Sequence, residues 1–413
     1  MPEPLSVEEH LAQVLAAVAP LPPADVALLD ALGLVATDDV HADVALPPFD
    51  NSAMDGYAVR RADLRGATEA APVCLPVVGA IGAGDAQVTE IAPGTVAKIM
   101  TGAPVPAGAD AVVPYEWTDR GAETVRVDRE PTERQHVRPA GDDVSVGDLL
   151  VAAGTVLTPR HVGLLASVGR ASVRVRPRPR VGIVSTGSEL REAGQSLEAD
   201  AIYDGNSHLL AAAAASAGVE VRRVGIVPDR PEEFLAALHA ELDAGLDVVV
   251  TSGGVSMGDY DVVKAALAPL ETMWFGPVAM QPGKPQGFGR VRSERGEALV
   301  VTLPGNPVSS YLSFEVFVLP ALRRMMGLVP ESRPAVRART TVALRSPAGR
   351  RQFLRATHDP AAGTVTPAGG PGSHLVAGLA AADSLLVVPE DVTDLAEGAE
   401  VDVLPLAPLP GGR

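Results

Sequence analysis

The sequence holds one cysteine, Cys74. That excludes an intramolecular disulfide framework and a cysteine-rich zinc site, and it fits a reducing compartment. Aromatic residues make up only 3% of the chain, so its cores must be built from Ala, Val and Leu. No apolar run reaches the roughly 18 residues of a membrane span. The acidic start (Glu3, Glu8, Glu9) lacks the basic-then-apolar pattern of an export signal, so the cytoplasm is the expected location. Positive charge is scarce as well. A formal net charge of −17 argues against a nucleic-acid partner, because phosphate binding needs a basic face. The densest basic cluster (Arg170, Arg174, Arg176, Arg178, Arg180) alternates with Val and Pro. This pattern predicts a linker or edge strand whose charges block edge-to-edge pairing, rather than a polyanion site. HExxH, a Walker A lysine motif, GxGxxG after a strand and a serine-hydrolase elbow are all missing.

What remains is a chain of 413 residues with 46% apolar and 21% charged residues, rich in Gly (41) and Pro (37). It is too long for one hydrophobic core, so several globular domains are expected. Residues 6–18 read as a helix, with Ser6 as N-cap, Glu9 closing a capping box and an apolar stripe that must be buried. Turn signals at Asn51-Ser52 and Asp55-Gly56 precede a strand at Tyr57–Val59. Short β runs then alternate with glycine turns to about residue 146, at Val73–Val78, Gly94–Met100, Ala111–Tyr115 and Thr124–Val127. Leu149–Val151 reads as a strand and Arg160–Ser167 as a helix.

From Arg180 the texture becomes a βα alternation, which predicts a mostly parallel sheet covered on both faces, with ligands at the C-terminal edge of the strands. Strands are expected at Val181–Ser185, Val219–Val227, Asp247–Val250, Thr272–Met280 and Ala298–Leu303. Helices are expected from Asn206, taken as a cap, to Ala217, over Pro231–Ala244, after a cap at Asp259, and from Pro307 to about Met326. Beyond Pro330 and Pro334, residues 335–405 read as a separate β domain. Three loops follow apolar strands and share one composition: Thr186-Gly187-Ser188-Glu189, Thr251-Ser252-Gly253-Gly254 with Ser256 and Gly258 close behind, and Leu303-Pro304-Gly305-Asn306-Pro307. A single such loop is as readily a plain βα turn. Three on one sheet edge point to a phosphate or other oxyanion, held by backbone N–H groups and helix starts. Lys284 is fixed between Pro282-Gly283 and Pro285 in a lysine-poor chain. Glu189, Asp229 and Asp261 lie near these loops, where carboxylates can hold Mg²⁺ against phosphate oxygens. Helix capping is the competing explanation, and it suits Asp259 better than Asp261.

The segments Asp50–Val59, Met100–Pro104, Ser185–Leu190, Thr251–Gly258, Pro282–Pro285 and Leu303–Ser309 together resemble the molybdopterin molybdenumtransferase family. This family includes the bacterial molybdenum-cofactor insertase and the E domain of gephyrin. The resemblance runs over most of the chain in the family's order. It implies an α/β multidomain protein with a linker and dimerisation region (1–46 and 146–179), an inserted β-rich domain (47–145), a molybdopterin-binding α/β domain (180–328) and a C-terminal β barrel (329–413). It implies a homodimer whose cleft lies between one subunit's α/β domain and the other's inserted domain.

The implied reaction takes adenylylated molybdopterin and molybdate, releases AMP and leaves molybdenum on the dithiolene, with the molybdopterin adenylyltransferase as a possible partner. By position, the resemblance marks Asp55, Thr101, Asp143, Glu189, Asp229, Asp261 and Lys284 as catalytic, with Asp261, Glu189 and Asp229 as Mg²⁺ ligands. It assigns the three loops to substrate, together with Ser309, Ser373, Arg350 and Arg355. Where many members carry a lysine at the first position of the Lys-Pro-Gly-Lys turn, this chain has Gln281. One cation is thus removed from an oxyanion site, for which Arg350, Arg351 or Arg355 could compensate. Two other readings are a molybdopterin adenylyltransferase, whose single domain resembles only residues 180–328, and a gephyrin-like peptide-binding scaffold. The extra β domains oppose the first. Retention of Asp55, Thr101, Glu189 and Asp261 opposes the second.

Overall fold

The computed structural model describes residues 3–86, 88–255, 261–407 and Leu409. Ser256, Gly258 and the expected cap Asp259 lie outside the described residues. The chain forms two compact units. One comprises the chain up to Asp38, Ala153–Pro159 and the chain from Ser172 onward; the other comprises Asp39–Ala152 and Arg160–Ala171. Among the described residues no helix is long and apolar enough to cross a membrane.

The first unit opens with α1 (Val7–Ala16), whose N-terminus carries the expected capping box between Ser6 and Glu9. Its centre is a six-stranded sheet built from β1 (Arg180–Thr186), β2 (Glu220–Val227), β3 (Val248–Ser252), β4 (Met273–Pro277), β5 (Pro285–Arg292) and β6 (Glu297–Leu303). The spatial order is β2-β1-β3-β6-β5-β4. The first four strands run parallel, and β5 is antiparallel to both of its neighbours, β6 and β4. Successive residues of a strand point to opposite faces, and both faces here are apolar, as a sheet covered on both sides requires. Val181, Ile183, Val248, Val250, Leu299 and Val301 pack with Leu210, Phe314 and Leu322. Val184, Val249 and Val300 pack on the other face with Phe234, Leu238, Val263 and Leu267.

The covering helices are α2 (Gly205–Ser216), α3 (Pro231–Asp243), α4 (Val262–Leu267) and a long helix from Pro307. The last has the expected extent but not a uniform pitch. A π-helical turn at Phe314–Val318 separates α5 (Pro307–Ser313) from α6 (Leu319–Met325). Pro320 cannot donate to the carbonyl one turn back, and the widened turn just before it accommodates that missing bond.

Beyond Pro334, strands Val336–Thr340, Arg351–Asp359, Thr364–Pro367, Ser384–Val388 and Glu400–Pro405 close into a barrel, because Arg351–Asp359 pairs with both Thr364–Pro367 and Ser384–Val388. Ala338, Ala356, Val365, Leu386 and Val403 fill it. The arginine-rich stretch forms a strand of a two-stranded sheet, and its arginines bond within the unit rather than only guarding an edge. Ser172–Val175 pairs with Ala24–Ala27, Arg174 faces Asp25 and Asp38, and Arg176 and Arg178 donate to the carbonyls of Leu21, Gly218 and Leu32.

The second unit is β-rich, as expected. Strands Gly56–Val59, Val73–Gly82, Val96–Ile99, Ala111–Pro114 and Thr124–Val127 share one sheet, with Tyr57, Val59, Val96 and Val113 packed on one face and Ala58, Ile81, Ile99 and Val112 on the other. Helix Pro159–Ser167 belongs to this unit from Arg160 onward and packs Leu164 beside Ala42 and Val144.

Candidate active site

Because β1, β3 and β6 are parallel neighbours, their following loops emerge side by side, as the strand pattern anticipates. Gly253 N–H donates to the Leu303 carbonyl at 3.0 Å. A Cβ on Gly253 would lie 3.6 Å from the Thr186 carbonyl oxygen, and one on Gly305 would lie 3.6 Å from the Gly253 Cα. The three loops are therefore packed backbone on backbone. Gly253 and Gly254 have φ of 89° and 83°, a left-handed pair that side-chain-bearing residues rarely adopt. The expected binding residues differ in placement. Ser188, Gly305 and Asn306 are exposed, whereas Thr186, Gly187, Thr251, Ser252, Pro304 and Ser309 are buried and Pro307 is half-buried. Thr251 turns its hydroxyl toward the Gly253 carbonyl at 3.5 Å, a bond within the loop.

Asn206 is not the cap of α2. Asp204 is, accepting from Ser207 N–H at 3.0 Å and also from the Ser185 hydroxyl at 3.0 Å. The sequence offers two cap-competent residues two positions apart, and the chain's path into the helix selects the first. Asn206 instead donates through Nδ2 to Ser252 Oγ at 2.8 Å and to the Gly305 carbonyl at 2.7 Å, tying two loops together. Composition alone could not separate this role from capping.

The carboxylates sit against the loops' glycines. A Cβ on Gly187 would meet Glu189 Oε2 at 2.7 Å, and one on Gly254 would meet Asp261 Oδ1 at 3.1 Å. Asp229 Oδ2 accepts from Ser188 N–H at 2.6 Å, bracing the first loop. Asp261 is the N-cap of α4 and accepts from Lys264 N–H at 3.2 Å, so capping suits it after all. Among the described residues no group of three or more His, Cys, Asp or Glu is placed to hold a metal ion. Glu189, Asp229 and Asp261 are thus not brought together as a preformed ligand set.

Beyond β6 on the same edge lies a cavity of about 460 Å³ lined by Glu3, Val255, Lys264, Phe275, Lys284 and Pro285, among others. It gathers two of the three lysines in the chain. Lys284 was legible from its rigid turn, but Lys264, inside a helix, was not. Gln281 pairs in parallel with Gln352 of the barrel, and its Oε1 is buried without a hydrogen bond. The arginines expected to compensate for it are mostly engaged. Arg351 pairs with Glu8 and Glu390. Arg355, 4% exposed, donates to the carbonyls of Gly370, Gly372 and Leu375. Arg350 is exposed at a turn. Ser373, in the loop that Arg355 holds, accepts from Val308 N–H at 3.0 Å, which brings barrel residues to the start of α5 beside Ser309.

In the second unit, Asp55 Oδ1 accepts from both Thr101 N–H (2.7 Å) and Thr101 Oγ1 (2.8 Å). These bonds hold the exposed carboxyl below the usual carboxylate range, the backbone N–H being the larger cause. The two expected residues thus form one pair. Ladder bonds from Ser52 N–H to the Ala103 carbonyl and from Gly102 N–H to the Ser52 carbonyl place their segments side by side. Asp143 is exposed in a separate turn, with its N–H on the Leu46 carbonyl.

Three family models match in succession. They are the MoeA N-terminal region (domain I and II) over residues 5–169, a probable molybdopterin binding domain over 182–324, and the MoeA C-terminal region (domain IV) over 337–406. The chain is similar to molybdopterin molybdenumtransferase 2 of Mycobacterium tuberculosis, at 46% identity over 96% of this chain and 98% of that protein. It is similar to the molybdopterin molybdenumtransferase of Haemophilus influenzae at 34% identity, over 93% and 94% of the two chains. Among solved structures it is similar to a molybdopterin biosynthesis MoeA protein from Pyrococcus, with a TM-score of 0.78, 32% identity and coverage of 98% and 99%. Sheet, loops, barrel and inserted β unit agree with these matches, and the chain belongs to the molybdopterin molybdenumtransferase family.

Proposed function

We propose that the protein transfers molybdenum from molybdate to adenylylated molybdopterin and releases AMP. The observation that carries this reading is the convergence of three Gly/Ser/Thr loops on one sheet edge, beside a cavity holding two of the chain's few lysines. Both substrates are anions in a protein of strongly negative net charge, so they need such a local concentration of N–H donors and cations. The dithiolene sulfurs of the substrate bind molybdenum, so no protein nucleophile is required. The chain's contribution is to hold the phosphates, orient the reacting groups and stabilise developing negative charge.

Magnesium usually takes one or two carboxylates plus phosphate oxygens and water. Asp261 and Glu189, each overhanging a loop glycine, fit that donor set and would hold the ion once the pyrophosphate has arrived. There it would neutralise phosphate charge. The protein acts as a homodimer in this reading, with the Asp55–Thr101 pair of the partner completing the cleft, and it receives its substrate from a molybdopterin adenylyltransferase.

The test is molybdate-dependent AMP release by the full-length Asp261→Asn variant. Asparagine still caps a helix, so α4 stays in place while the charge is lost. We expect release to fall by about a hundredfold or more, in line with the loss of one charge-stabilising group. Wild-type rates in a folded Asp261→Asn protein would refute the role of this carboxylate.

A further inference from the structure

Among the hydroxyls on the site's strands, some protons are already committed. Ser185 donates to Asp204 Oδ1, and Thr251 donates toward the Gly253 carbonyl. Ser252 differs, because its Oγ accepts from Asn206 Nδ2 at 2.8 Å and donates no hydrogen bond among the described residues. The amide orientation is settled chemically: the other Nδ2 hydrogen points at the Gly305 carbonyl, which can only accept. Both hydrogens of the amide are therefore used, and each pins a different loop. Ser252 is 4% exposed, so the protein rather than solvent decides where its hydroxyl proton points. Its neighbours Gly253 and Gly305 have no side chains to intercept that proton.

We propose that Asn206 is a positioning residue that makes Ser252 a hydrogen-bond donor toward the bound anion while clamping the loops after β3 and β6 at a fixed separation. The proposal rests on the anion-binding reading of these loops. It adds a polarity: the site favours ligand oxygens that only accept, such as those of a fully ionised phosphate. A carboxylate at position 206 would accept from Ser252, reverse its hydroxyl and repel both the Gly305 carbonyl and the ligand.

The experiment is calorimetric titration of full-length protein with AMP, comparing each variant with wild type at pH 8 and at pH 5. Asn206→Ala should weaken AMP about tenfold at both pH values, the scale of one hydrogen bond to a charged group. Asn206→Asp should weaken it by about a hundredfold at pH 8, where charge repulsion adds to the lost donor, and return toward the alanine value at pH 5 as the new carboxyl gains a donor proton. Circular dichroism and thermal midpoints confirm folding. Should Asn206→Asp not fold, the combination of Asn206→Ala with Ser252→Ala decides. It should bind no more weakly than Ser252→Ala alone if Asn206 acts through Ser252. Equal losses for Asn206→Ala and Asn206→Asp at both pH values, or additive losses in the double variant, would overturn the positioning role and leave the anion site standing. A wild type that does not bind AMP would overturn the anion-site reading and this proposal with it.

Discussion

His10 makes the first unit acid-sensitive by a calculable amount. It lies on α1 with 1% of its surface exposed, its ring 4.9 Å from Trp274, 5.3 Å from Phe288 and 4.5 Å from Phe317, centroid to centroid. Its Nδ1 has no hydrogen-bond partner. Burial alone holds its pKa down to about 3 from 6.5, because the imidazolium would be an unpaired charge among aromatic rings. The unfolded chain binds a proton near pH 6.5 and the folded chain does not, so stability is full above that value and is lost as pH falls from there toward 3. At pH 5 the deficit from this one residue is about 2 kcal/mol, from the shift of the unfolded-state titration. With an m-value of about 3 kcal/mol/M, the urea midpoint should fall by roughly 0.7 M between pH 7.5 and pH 5 on this account. Fluorescence of Trp274 reports on the relevant unit once the other tryptophan is removed by Trp117→Phe. In that background His10→Phe fills the cage with a third phenyl ring, beside Phe288 and Phe317. Overpacking shifts absolute stability by about 1–3 kcal/mol, so the comparison is the pH dependence within each protein. His10→Leu, a smaller replacement, serves as the second variant. The share of the midpoint shift due to His10 should vanish in both. An identical pH dependence with and without the imidazole would refute the reasoning.

Two further outcomes follow from the site. Asp55→Ala and Asp261→Ala, each inactive alone in molybdate-dependent AMP release, should regain about a quarter of wild-type activity when co-expressed, since half the dimers are mixed and each mixed dimer has one intact cleft. No recovery in purified mixed dimers would exclude a cleft shared between subunits. Gln281→Lys introduces the cation that the family resemblance implies at a position whose carboxamide oxygen is buried without a partner. It should lower the apparent KM for molybdate, and an unchanged KM with a folded protein would remove this residue from the molybdate path.

The sheet was readable from the sequence because its signal is local. Apolar runs such as Val248–Val250 and Leu299–Val301 must be buried on both faces, and that burial forces a parallel sheet under helices. The three loops and the rigid turn around Lys284 were readable for the same reason, since glycine, proline and hydroxyl residues announce a turn whatever surrounds it. The capping box at Ser6 and Glu9 also depends only on residues three apart. Roles that depend on which strand lies beside which were not readable. Asn206 looks like a cap and proves to be a clamp between loops following β3 and β6, strands far from it in sequence. Asp261 looks more like a metal ligand than a cap, and it does cap a helix. Arg355 looks like a ligand for an anion and is spent on three carbonyls, because only the barrel's closure brings those carbonyls within its reach. By itself, then, the sequence determined the kinds of elements, their order and the chemistry of the loops, all properties of neighbours along the chain. Tertiary packing decided which polar atoms are already satisfied and which remain for a ligand, because a hydrogen bond is settled by distances between residues that the linear order leaves unrelated.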